Sequence, residues 1–146
     1  ALGWKQSVAV VQFIKGTWIT GERQFFDRLG GVIWHTMGEG FTWDTQDRDR
    51  DIAAAQAAYA KAVELMKSGD FDLVVLDEIN IALRYDYLDV ADVIAGLEQR
   101  HERTSVILTG RDAKPELMEY ADLVTEMTEV KHPYQAGIKA QRGVDF

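Results

Sequence analysis

Short apolar runs alternating with stretches of helical periodicity constrain this chain more than any other feature. Ser7–Ile14, Val32–Met37, Asp72–Leu76, Thr104–Leu108 and Asp122–Met127 are apolar or β-branched runs bounded by turn or polar residues, the pattern of strands. Most are too uniformly apolar to leave one face in water, so both faces of the sheet they build must be covered. Between them Ile52, Ala55, Tyr59, Val63 and Met66 recur at steps of three or four, as do Val90, Val93, Ile94 and Leu97, giving two amphipathic helices. Pro115 suits a first helical turn and opens a third helix carrying Leu117, Met118 and Ala121. The expectation is an α/β fold, a mostly parallel sheet flanked by helices, with ligands beyond the carboxyl ends of the strands. The chain has 146 residues, 47% of them hydrophobic, which suits one domain over residues 1–146.

Charge and composition narrow the function. With 16 Lys plus Arg against 24 Asp plus Glu, the net charge of -8 opposes any general attraction to nucleic acid or an anionic membrane. Any anionic ligand needs a local basic site. The absence of cysteine excludes disulfides, thiolate metal sites and thiol nucleophiles. There is no apolar run of membrane-spanning length and no signal-like N-terminus, so a soluble, cytoplasmic protein is expected.

The run "DLVVLDEIN" (72–80) ends in two adjacent acids. At the carboxyl edge of a central strand, Asp77 and Glu78 can bind Mg²⁺ beside a phosphate, as in the Walker B element of P-loop proteins; equally, they can simply end a buried strand in solvent. A phosphate loop should accompany the first reading. The nearest match, "GTWITGER" from Gly16, fails chemically, because Glu22 stands where lysine should meet the phosphates and Arg23 replaces the metal-binding hydroxyl. It reads as a turn into a helix over Glu22–Leu29.

The blocks "VAVVQFIKG", "GEGFTW", "TQDRDRD", "DLVVLDEIN", "ALRYDYL", "LTGR" and "VKHPYQAGIKAQRGVDF", in that order and over the whole chain, resemble the P-loop class of ATP:corrinoid adenosyltransferases. The resemblance implies a recombinase-like nucleotide-binding fold and a reaction in which cob(I)alamin cobalt attacks the 5′ carbon of ATP, with triphosphate leaving. It also implies ATP, Mg²⁺ or Mn²⁺, a cobalamin or other corrinoid substrate, an electron-donating reductase or flavodoxin, and a homodimer. Members of the family begin with a strand, a G-N-G-K-G-K-T loop and a helix. "ALGW" is similar to the last turn of that helix, so the N-terminal strand and P-loop are expected to be missing here.

The resemblance assigns roles by position. Glu78 matches the metal-associated acid, with Asp77 beside it, and Arg111 of "TGR" matches a basic residue near the triphosphate. Phe41 and Trp43 match aromatics under the corrin ring that displace its lower axial ligand and ease reduction of cobalt. On their own, two aromatics in a glycine-bearing loop are more often anchors packing the loop on a core. Lys15 at a strand end and His132 in the basic C-terminal block, with Lys131, Lys139 and Arg142, are anion-site candidates for ATP; that block can also pair with the acidic surface of the chain itself. His35 lacks the aspartate of a D-x-H-x-x-G cobalt-binding motif, Ile33 holding that position, and reads as a strand residue. "TQDRDRD" reads as a helix start with acids favouring the dipole. Two other readings stay open, a truncated corrinoid-binding module without activity and a generic P-loop-type NTPase.

Overall fold

A computed structural model describes residues 1–13, 20–36 and 48–143. Four strands, β1 (Val8–Gln12), β2 (Val32–Thr36), β3 (Leu73–Asp77) and β4 (Ser105–Leu108), form one sheet in the order β2-β1-β3-β4. Every pairing is parallel, with Val8 opposite both Val32 and Leu73, and Leu73 opposite Ser105. This is the expected α/β architecture. Each parallel crossover is made by a helix: α1 (Gly21–Leu29) joins β1 to β2, α2 (Arg48–Ser68) joins β2 to β3, and α3 (Ile79–Arg84) with α4 (Val90–Glu98) joins β3 to β4. A further short helix, α5 (Pro115–Tyr120), follows β4.

Alternation along the strands sorts side chains onto two faces. Ala9, Val11, Val74 and Leu76 face the main core, where they meet Ala55, Ala58, Tyr59, Ala62 and Met66 of α2, Ile79 and Leu83 of α3, and Val93 and Leu97 of α4. The alanine stripe on α2 brings that helix close to the sheet. The opposite face carries Val8, Val10, Val32, Trp34, Leu73 and Val75; Phe26 of α1, with Ala1 and Leu2, encloses a cavity of about 360 Å³ against it, and Asp77 lies on its lining.

Two expectations differ from what is observed, and one helix was not expected. Asp122–Met127 is not a strand: it has no ladder partner among the described residues, and Leu123 and Met127 are 84% and 94% exposed. An apolar run becomes a strand only where a neighbour's free edge reaches it. In α5 only Leu117 is buried; Met118 is exposed, and Ala121 falls after the helix ends. The helix α3, only 6 residues long, is too short to leave a periodic signature in the sequence. No helix among the described residues is long and apolar enough to cross a membrane.

Candidate functional site

Asp77 is the last residue of β3, and its register partner on β1 is Gln12. Gln12 is only 5% exposed. Its Oε1 accepts from Trp34 Nε1 at 3.0 Å and from Thr36 Oγ1 at 3.3 Å, while its Nε2 donates to Asp77 Oδ2 at 3.0 Å. An indole N–H can only donate, so Trp34 dictates which end of the amide faces Asp77. On the other side, Thr109 Oγ1 donates to Asp77 Oδ1 at 3.0 Å and accepts from the Glu78 backbone N–H at 2.9 Å. Both oxygens of Asp77 are thereby held by donors, one from β1 and one from the residue that follows β4.

Glu78 forms the bend between β3 and α3. Its φ of 63° lies in the left-handed region, which costs a residue with a Cβ roughly 1–2 kcal/mol. Strain of this kind persists where the surroundings over-determine it. The bend turns the side chain inward: Oε2 is buried with no hydrogen-bond partner among the described residues. Burial raises the Glu78 carboxyl above the ordinary range, the neighbouring Asp77 charge raises it further, and Arg111 opposes both. Asn80, 7% exposed, also has a buried side-chain oxygen without a partner among the described residues.

Arg111 is exposed in the turn after β4. This turn is fastened to the end of α3 by Arg84–Asp112 at 2.9 Å and Lys114–Asp86 at 3.2 Å. Beneath it, Gly110 has φ 130°, and a Cβ there would fall 2.8 Å from Asn80 Cβ, so only glycine lets the turn lie against the start of α3. The carboxyl edges of β3 and β4 thus bring together Asp77, Glu78 and Arg111.

This arrangement is chemically suited to a divalent cation with a phosphate chain. Mg²⁺ is commonly bound by one or two carboxylates plus phosphates and water, with no all-protein cage. Two edge carboxylates, one with an unpartnered buried oxygen, meet that description, and the guanidinium supplies a fork for phosphate oxygens. Among the described residues no three His, Asp or Glu side chains group for a metal.

The remaining expected site residues stand apart. Lys15, Phe41 and Trp43 lie outside the described residues. His132 is exposed, and its Nδ1 accepts from the Tyr134 backbone N–H at 3.1 Å, capping a short turn over Pro133–Ala136. The whole C-terminal block from Lys131 to Arg142 is exposed. His35 sits on β2, and partial burial lowers its affinity for a proton, Lys61 adding to the effect. Gln12, Trp34, Thr36 and Thr109 had no assigned role. The available signal was Gln12 itself, the one polar residue between Val8 and Ile14, because a buried amide must find partners.

The family model described as "ATP:corrinoid adenosyltransferase BtuR/CobO/CobP" matches residues 1–146. A corrinoid adenosyltransferase of Sinorhizobium sp is 57% identical over 141 residues, covering 94% of this chain and 66% of the relative. A corrinoid adenosyltransferase of Pseudomonas aeruginosa is 54% identical over the full chain and 72% of its own length, and one of Escherichia coli K12 is 42% identical over the full chain and 74% of its own length. The chain spans about two thirds to three quarters of these relatives.

Proposed function

The chain belongs to the ATP:corrinoid adenosyltransferase BtuR/CobO/CobP family, and from that premise we propose that it transfers the 5′-deoxyadenosyl group of ATP to a corrinoid. The electron pair of Co(I) forms the Co–C5′ bond while the C5′–O bond breaks, its electrons leaving with triphosphate. The observation that carries this reading is the pairing of Asp77 and Glu78, with the buried unpartnered Glu78 Oε2, at a strand edge that also presents Arg111. Asp77 and Glu78 would hold Mg²⁺ or Mn²⁺, which neutralises triphosphate charge when bound. Arg111 orients the triphosphate and stabilises the negative charge developing on the departing oxygen.

Family resemblance supports the rest. Phe41 and Trp43 face the corrin, Lys15 and His132 contribute to ATP binding, a reductase or flavodoxin supplies the electron, and a homodimer acts in the cytoplasm.

Incubation with ATP, Mg²⁺ and chemically reduced corrinoid tests this reading. Adenosylcorrinoid and triphosphate are expected in equal amounts, with the rate lowered about 100-fold or more by Glu78→Ala. Release of ADP and phosphate without corrinoid would instead identify a generic NTPase. Tight corrinoid binding with no Co–C bond formed would identify a binding module.

A further inference from the structure

At the carboxyl edge of the sheet, side chains from consecutive strands join in one line. Thr36, Gln12 and Asp77 end β2, β1 and β3 and are register partners across two adjacent ladders. Thr109 follows the last residue of β4. Hydrogen bonds link them in the spatial order of the strands: Thr36 and Trp34 donate to Gln12, Gln12 donates to Asp77, Thr109 donates to the other oxygen of Asp77, and the Glu78 backbone N–H donates to Thr109. We propose that Gln12 is a positioning residue for the divalent-cation site, the central link of a belt that sets the orientation of the Asp77 carboxylate from β2.

The choice of glutamine has a physical reason. Every residue of β1 is buried, so an amide there adds desolvation cost that an apolar side chain avoids. What it adds is a link that accepts on one side and donates on the other. The neighbours demand both functions, since Trp34 can only donate and an ionised carboxylate can only accept. Methionine fills a similar volume and supplies neither. Partners that orient a ligating group typically change metal affinity 10–100-fold when removed. The inference rests on the reading of Asp77 and Glu78 as cation ligands, and it concerns how they are held.

The test is binding of Mn²⁺·ATP, followed by the Mn²⁺ and ATP retained with the protein in equilibrium dialysis. Gln12→Met is expected to weaken Mn²⁺·ATP binding about tenfold. Gln12→Glu keeps the acceptor for Trp34 but sets a like charge against Asp77, and is expected to weaken binding at least as much. The Trp34 indole N–H resonance separates the two, remaining downfield in Gln12→Glu and moving upfield in Gln12→Met. Trp34→Phe combined with Thr36→Val, which leaves the Gln12 bond to Asp77 in place, is expected to weaken binding by a few-fold through loss of the belt's far end. Binding within twofold of the unaltered protein in both Gln12 variants overturns the proposal. If the unaltered protein binds Mn²⁺·ATP but forms no Co–C bond, the adenosyltransferase reading falls while the belt is still tested. If it does not bind Mn²⁺·ATP at all, both fall.

Discussion

Glu78 is strained, half-buried and beside a like charge, so it opposes folding wherever it is ionised. Its folded-state carboxyl titrates above the ordinary glutamate range, because of burial first and Asp77 second. The folded protein therefore holds that proton more tightly than the unfolded chain does. Stability falls as pH rises from the ordinary value through the raised one, and the full penalty applies above it. Glu78→Gln removes the charge and keeps the shape. It is expected to stabilise the protein at pH 7 by about 1 kcal/mol, an advantage that shrinks toward zero near pH 4, while transfer activity is lost. Urea unfolding at the two pH values reads this, and a Glu78→Gln variant less stable than the original at pH 7 contradicts it. The sequence made the acid pair and its position at a strand end legible, because an apolar run stops there. The left-handed bend and the buried oxygen were not legible, since they depend on how Thr109 and Gly110 approach from β4.

Among the elements, α2 and α4 meet most closely at Gly96. A Cβ on Gly96 would overlap Tyr59 Oη and lie 2.9 Å from Val63 Cγ2, and Tyr59 Oη donates to the carbonyl of Val93. Burial, with Asp92 as a smaller cause, raises the Tyr59 hydroxyl further above its already high range, so it remains a neutral donor at all ordinary pH. Gly96→Ala is expected to destabilise by about 1–3 kcal/mol through overpacking, despite the higher helix propensity of alanine. Adding Tyr59→Phe removes the atom in closest conflict, so the double variant should be less destabilised than the sum of the singles. Thermal or urea unfolding of all three variants checks this; simple additivity would place the conflict elsewhere. The periodic stripes of α2 and α4 were legible from residue type, but which helix they oppose was not. Asp122–Met127 shows the converse limit: Leu123, Val124 and Met127 have strand-like composition and stay exposed without a ladder partner among the described residues.

At the scale of the whole molecule, the proposed reaction requires two substrates to converge on one end of the sheet, ATP at Asp77, Glu78 and Arg111 and a corrinoid at Phe41 and Trp43. In the proposed reaction the aromatics take no part in proton transfer, and their proposed role is to remove the lower axial donor, which would destabilise Co(II) relative to Co(I). Phe41→Ala and Trp43→Ala are therefore expected to slow turnover about tenfold or more when the reaction starts from Co(II), and by less when it starts from chemically prepared Co(I). Spectrophotometric rates from both starting states decide the matter. Equal slowing would reduce the pair to packing or simple binding.

The order of β1 to β4 and of the helices other than α3, the parallel α/β class, and the acid pair at a strand's carboxyl edge follow from the sequence, because periodicity and the end of an apolar run are local properties; that Ile33 and Ile107 stay half exposed does not. The family blocks are equally written in residue order. Tertiary structure alone decided that β1 lies between β2 and β3, that Gln12 answers both Trp34 and Asp77, and that Arg111 acts on the charge of Glu78. These are contacts between residues 22 to 65 positions apart or between neighbouring turns, and no periodicity along the chain specifies which strand edge a side chain will meet.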